Sequence, residues 1–123
     1  MYSYSYDKKE DKLTAVSNYN LPSKVQGVAF DDNGSIYLST SYGRNNSSYL
    51  KVYSSLLSLD KKPNEPKVKV EMPPCSEEVA IADGTVFVLF ESASAKYFEG
   101  TDGMGKSPAP IDKLLEVSVA SIW

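Results

Sequence analysis

The sequence predicts an all-β chain assembled from antiparallel hairpins, and two kinds of local pattern carry that prediction. Between Tyr2 and Tyr6 tyrosine alternates with serine, the two-residue period of a half-buried strand. Residues 25–30 and 35–40 are apolar-rich segments separated by Asp-Asp-Asn-Gly. Asn-Gly is a strong hairpin signal because both residues tolerate positive φ.

The same signals continue along the chain. Strands are predicted at residues 2–7, 13–19, 25–30, 35–40, 49–53, 68–72, 78–81, 85–90 and 114–119. Helical spacing is present only at residues 54–59 and 111–115. Both stretches are too short to be stable helices without tertiary support.

The strand pattern repeats. Residues 21–22 and 28–30 recur 51 positions later (79 − 28 = 51), and residues 33–38 recur 50 positions later (83 − 33 = 50). A period near 50 with four strands in each period is typical of the blades of a β-propeller.

Residues 26–39, with the sequence Gln-Gly-Val-Ala-Phe-Asp-Asp-Asn-Gly-Ser-Ile-Tyr-Leu-Ser, carry a recognisable motif. They resemble the blade motif of NHL-type and gluconolactonase-like bacterial propellers, in which glycine, alanine, aspartate, glycine and tyrosine alternate with apolar residues. The resemblance covers most of residues 13–119. It implies antiparallel four-stranded blades and says little about activity, because this fold carries many functions.

The blade interpretation divides the chain into a blade remnant at 1–19, a blade at 20–72 and a partial blade at 73–123. Such a segment holds roughly two blades, and a closed propeller needs at least four. Two completions are therefore expected. The chain is either a C-terminal piece of a longer protein, whose remaining blades close the ring, or copies of the chain associate to close it.

Composition excludes several function classes. The formal net charge is −3, there is no histidine, and Cys75 is the single cysteine. Histidine-dependent catalytic triads, cysteine clusters for zinc and an intrachain disulfide are therefore excluded. The only basic pairs, Lys8-Lys9 and Lys61-Lys62, do not predict nucleic-acid binding, and no apolar run predicts membrane insertion. The Ser, Asn and Tyr content favours an extracellular or cell-surface location.

In the blade interpretation, ligands meet the connections at residues 22–26, 41–48, 73–78 and 91–110, because loops on a rigid scaffold carry function. Gln26 and Glu77 are equivalent positions (77 − 26 = 51) at the mouth of the central channel. The resemblance implies a divalent cation such as calcium on this face, with Glu77, Glu78 or Glu91 as oxygen ligands. The alternative is that these carboxylates are solvated rim charges.

The polar loop at residues 41–48 contains two further candidates. Tyr42 offers a flat surface for stacking a sugar ring, and Arg44 offers a planar fork for carboxylate or phosphate. The alternative for Arg44 is a structural role, in which it ties neighbouring blades together through backbone carbonyls. Residues 91–110 are longer than an ordinary hairpin loop and predict either a ligand-covering loop or a mobile insertion.

Three functions remain open. The first is a non-catalytic recognition or scaffolding module for a protein or glycan, favoured by the lack of a nucleophile–base pair. The second is a metal-dependent hydrolase of the lactonase kind, in which a carboxylate-bound cation polarises a carbonyl. The third is a carbohydrate-binding propeller that uses Tyr42 and Arg44. No cofactor is expected apart from the cation of the second hypothesis.

Overall fold

A computed structural model describes all residues, 1–123, and confirms an all-β chain with antiparallel sheets. The nine strands are β1 (Tyr2–Asp7), β2 (Lys12–Asn18), β3 (Val25–Phe30), β4 (Ile36–Thr40), β5 (Ser48–Tyr53), β6 (Val68–Met72), β7 (Ser76–Ala82), β8 (Thr85–Phe90) and β9 (Leu115–Ser118). The three short helices are α1 (Leu56–Lys61), α2 (Ala95–Phe98) and α3 (Val119–Ile122).

The strands form three open sheets in sequence order. β1 and β2 form a hairpin, β3 to β6 form a four-stranded sheet, and β7 to β9 form a three-stranded sheet. β3 packs closely against β7. The longest helix, α1, has 6 residues, and none of the three helices is a candidate membrane span.

One of the two stretches with helical spacing is a helix and the other is not. α1 begins after Ser55, whose hydroxyl accepts from the backbone N–H of Ser58, a good N-terminal cap. Residues 111–115 form no helix. The Ile111 N–H donates instead to the Ser92 hydroxyl (2.9 Å), and Leu115 already pairs with Val88 in the sheet, so pairing with β8 outweighs the local spacing.

The two larger sheets repeat one another in strand register. Val28 faces Leu38 in the first sheet, and Val79 faces Val88 in the second. The offsets are 51 on the first strand (79 − 28) and 50 on the second strand (88 − 38), as the sequence repeat predicts. Each first strand also has a register irregularity at its beginning, between Val25 and Gly27 or between Ser76 and Val79.

The residues just before these strands repeat as well. Lys24 and Cys75, again 51 positions apart, both have positive φ, at 66° and 68°. Each backbone carbonyl accepts a 3.0 Å hydrogen bond, from the N–H of Ser41 and of Glu91 respectively. The backbone before β3 and the backbone before β7 therefore share the same conformation and the same hydrogen bond.

The hairpin turns of the two sheets differ. Asp83 and Gly84 both have positive φ, at 48° and 72°, as a two-residue turn of type I′ requires. In the turn between β3 and β4 only Gly34 has positive φ, at 80°. There the Asp31 carboxylate accepts from the N–H groups of Asn33 and Ser35, both at 2.9 Å, and holds a longer loop.

The main core lies between the two larger sheets. It contains Ala29, Tyr37, Leu50, Val52, Met72, Val79, Val86, Val88, Phe90 and Ile122. A smaller cluster of Ile36, Leu38, Tyr53 and Leu59 lies on the other face of the four-stranded sheet, where α1 covers it. The four-stranded sheet thus buries apolar side chains on both faces, and its central strand β4 is buried throughout.

The alternating tyrosines at the beginning of the chain do not lie in a half-buried strand. Tyr2, Tyr4 and Tyr6 are 65%, 55% and 56% exposed. The β1–β2 hairpin has no third strand and no covering sheet, so the two-residue period correctly predicts the strand but not its burial.

Candidate functional site

The connections that follow β4 and β8, residues 41–47 and 91–114, are joined by Arg44. The Arg44 side chain is 7% exposed and faces Asp102 with both guanidinium ends. Nη1 donates to Oδ1 at 3.1 Å and Nη2 donates to Oδ2 at 2.5 Å. This hydrogen bonding from Arg44, followed by that from the Met104 N–H, holds the pKa of Asp102 below its usual range.

The same guanidinium also binds backbone of the longer connection. Nη1 donates to the carbonyls of Gly105 (2.5 Å) and Lys96 (3.4 Å), and the guanidinium carbon lies 4.7 Å from the centre of the Tyr97 ring. Arg44 therefore ties the two connections together through backbone carbonyls and the Asp102 carboxylate. The guanidinium fork of Arg44 is thus already occupied by the carboxylate of Asp102.

The long connection is folded rather than extended. α2 begins it, and the Ser107 N–H donates back to the Tyr97 carbonyl at 2.6 Å. Gly100 has a φ of 71°, and a side chain there would lie 3.1 Å from the backbone of Gly105, so only glycine fits without strain. The connection therefore forms a compact cap around Arg44.

Glu77 and Glu91 lie together beside this cap. Partial burial, and then the negative charge of the nearby Glu91, raises the pKa of Glu77. Glu91 is also the hydrogen-bond partner that most raises the pKa of Tyr97.

The third predicted carboxylate lies apart from that pair. Glu78 accepts from the N–H of Val79 through Oε1 at 2.9 Å, and it sits against Gly27 of the neighbouring strand. Nowhere in residues 1–123 are three acidic or cysteine side chains grouped as metal ligands. Of the three carboxylates that the resemblance implies as cation ligands, Glu77 and Glu91 lie close together, whereas Glu78 makes a separate contact with the backbone.

Gln26 and Tyr42 lie on the part of this end that belongs to the first sheet. The Gln26 amide donates to the Ser41 carbonyl at 3.3 Å, which fixes it against the shorter connection. Tyr42 is 63% exposed, and the Lys24 ammonium lies 3.8 Å from the centre of its ring. Of the five predicted residues, Arg44, Glu77 and Glu91 therefore share one cluster, while Gln26 and Tyr42 flank it.

Tyr42 also lines a cavity that local sequence patterns do not indicate. We call it the lysine pocket. It has a volume of about 560 Å³ and is lined by Ser23, Lys24, Thr40, Ser41, Tyr42, Asn46, Ser47, Tyr49, Lys51 and Lys69. Its lysines are 27 (51 − 24) and 18 (69 − 51) positions apart, so a search for neighbouring basic residues misses them. The signal in the sequence is that the two predicted strands at 49–53 and 68–72 each carry a lysine, at positions that strand pairing brings together.

No family model, curated protein or solved structure matches the chain.

Proposed function

We propose that the two larger sheets are successive blades of a β-propeller, and that the chain is a non-catalytic recognition module. Its ligand surface is the end formed by residues 41–47 and 91–114. The propeller architecture and the recognition function are supported by different observations.

The architectural part is supported by the repeated register and by the way the sheets meet. In a propeller the first strands of neighbouring blades lie closest together, around the central channel. Here a side chain on Gly27 of β3 would lie 2.7 Å from the Val79 nitrogen of β7. The approach is therefore backbone to backbone, between the first strands of the two sheets.

The functional part is carried by the bridge between Arg44 and Asp102. It joins the connections of two sheets into one surface through contacts within the chain, and a preorganised surface loses less conformational entropy on binding. Tyr42 stands exposed on that surface, and an amphipathic ring is a common binding residue.

The ligand surface can be tested on arrays of glycans and proteins with a matched pair of variants. Tyr42→Ala removes the exposed ring at the proposed surface, and Tyr2→Ala removes a ring of similar exposure (63% and 65%) from the remote hairpin. We expect Tyr42→Ala to lose binding and Tyr2→Ala to retain it. Equal loss in both would contradict the assigned surface, and turnover of a lactone that depends on a divalent cation would replace recognition by the lactonase alternative.

The architecture is tested by the molar mass in solution, measured by light scattering. A species of 13.5 kDa is one copy, which suits blades completed by further chain. A stable multiple of that mass suits a ring of copies. If the solved structure of such a multiple showed the copies packed face to face, with no ring of sheets around a channel, the propeller architecture would be contradicted in either form.

A further inference from the structure

The lysine pocket lies on the face of the four-stranded sheet that points away from the main core. Thr40 pairs with Tyr49 and Lys51 pairs with Lys69, so these side chains emerge on one face. Further along that face, Leu38 belongs to the apolar cluster that α1 covers. The pocket begins where the apolar residues end, and its polar surface is not part of the core.

No lysine of the pocket forms an ion pair within the chain. The structure contains two ion pairs, Arg44 with Asp102 and Lys62 with Glu65, and neither involves a pocket lysine. Glu71 pairs with Tyr49 and so lies on the same face at the edge of the pocket, where its carboxylate accepts a 2.6 Å hydrogen bond from the Ser47 hydroxyl rather than from a lysine. Three lysines thus line one cavity in a protein whose net charge is −3.

Two of these charges oppose each other directly. Lys51 and Lys69 are cross-strand partners, and like charges in that position destabilise a sheet. Burial, and then the charge of Lys69, lowers the pKa of Lys51. Local rules of this kind are broken most often at functional or strained sites. An anion between the two ammonium groups would remove the conflict.

The rest of the lining narrows the class of anion. The ammonium groups of Lys24 and Lys69 rest on the rings of Tyr42 and Tyr49, at 3.8 and 4.0 Å from the ring centres. Hydroxyl groups and one amide fill the remaining wall, which is the lining expected for a polyhydroxylated ring with acidic substituents. The volume of about 560 Å³ is that of a small-molecule site and holds only a few sugar units.

We infer that the lysine pocket binds an acidic saccharide, with its carboxylate or sulfate groups on Lys24, Lys51 and Lys69 and its sugar rings beside Tyr42 and Tyr49. This inference rests on the proposed recognition function and names its ligand class. The two sources of negative charge, uronate and sulfate, share the same chemistry and are separated by the choice of probe.

The test is calorimetry on the full chain with defined probes. The acidic probes are an oligogalacturonate and a heparin-derived oligosaccharide, and the neutral probe is the methyl ester of the same oligogalacturonate. A polyglutamate peptide tests the acidic-peptide alternative, and inorganic sulfate tests binding of charge alone. We expect binding of at least one acidic saccharide and none of the methyl ester.

Three substitutions locate the site. Lys51→Gln and Lys69→Gln each remove a charged contact and are expected to weaken binding about tenfold. Lys67→Gln is the matched control, because Lys67 is two residues from Lys69 but rests on the Trp123 ring, away from the pocket. Its expected effect is less than about twofold. Lys51→Gln should also raise the melting temperature, since it removes the like-charge pair, so lost binding cannot be attributed to unfolding.

Each other outcome overturns the inference in a distinguishable way. Equal weakening by Lys67→Gln and Lys69→Gln would move the site elsewhere. Tighter binding of polyglutamate than of either saccharide would replace the ligand class. If no acidic saccharide binds while the arrays yield another ligand that depends on Tyr42, the inference fails and the recognition function stands. If no array ligand depends on Tyr42 either, both fail.

Discussion

Adding one methyl group at Gly27 tests how closely the two larger sheets approach. The Cβ of Gly27→Ala would lie 2.7 Å from the backbone nitrogen of Val79 and 2.8 Å from the backbone carbonyl oxygen of Glu77. Ordinary contacts of a Cβ atom begin at 3.4 Å, so the overlap is 0.7 Å (3.4 − 2.7) and 0.6 Å (3.4 − 2.8). Both obstructing atoms are backbone, and the strands themselves must separate to relieve the overlap.

The expected cost follows from this geometry. Overpacking in a tight interior costs about 1–3 kcal/mol, and backbone obstruction places Gly27→Ala in the upper part of that range. Replacing glycine also lowers the entropy of the unfolded chain, which returns about 0.5 kcal/mol or slightly more. The net loss in the free energy of unfolding is then about 1.5–2.5 kcal/mol. With an unfolding entropy of about 2.1 cal/mol/K per residue, the melting temperature falls by about 6–10 °C.

The assay is thermal and urea unfolding followed by circular dichroism and by the fluorescence of Trp123. The indole N–H of Trp123 donates to the Tyr37 hydroxyl at 3.0 Å, across the two sheets, so its emission reports their separation. Gly34→Ala is the control, because a side chain there meets no atom within 4 Å and causes only local backbone strain. We expect altered Trp123 emission in the folded state for Gly27→Ala alone.

A side-chain explanation is separated by the double variant Gly27→Ala with Glu78→Ala. The nearest atom to the added methyl group is the Glu78 Oε1 at 2.6 Å, a side chain that can move. If removing it restores full stability, the backbone approach is not the obstacle. Parental stability and unchanged emission in Gly27→Ala itself would refute the close approach of β3 and β7.

Three further predictions concern the ends of the sheets. Glu77→Gln should stabilise the protein at neutral pH, because the pKa of Glu77 is raised in the folded state. The parental carboxyl therefore favours folding fully only below its unfolded pKa, and that contribution is lost as the pH rises through the folded pKa. The difference in urea midpoint between the two proteins should therefore shrink on acidification towards about pH 4, and a constant difference would contradict the shift. Asp102→Asn keeps the shape of the side chain that bonds Arg44 but removes its charge. Amide hydrogen exchange should therefore become faster in residues 91–114, while the midpoint of global unfolding changes little. Unchanged exchange would mean that the bridge does not hold the connection in place. Trp123→Phe removes the donor to the Tyr37 hydroxyl and should cost about 1 kcal/mol in urea unfolding, and no loss would show that this hydrogen bond contributes nothing net.

The positions of the strands were determined by the sequence alone, because alternation and turn residues act over a few neighbours. The recurrence of residues 28–30 at 79–81 likewise predicted the matching register of two sheets. Local pattern failed where pairing with a distant strand outweighed it, as at residues 111–115. It also failed for Tyr2, Tyr4 and Tyr6, since burial depends on whether another layer covers the strand.

The roles of the candidate site residues were decided only by tertiary structure. Arg44 carries a fork suited to an external carboxylate, but Asp102, 58 positions away, occupies it. Glu77 and Glu78 are adjacent in sequence, yet Glu77 lies close to Glu91 whereas Glu78 accepts a hydrogen bond from the backbone of Val79. The lysine pocket gathers residues from separate strands, because strand pairing sets which distant side chains share a face. Charge compensation and the formation of a cavity depend on distances through space, and a linear pattern does not contain them.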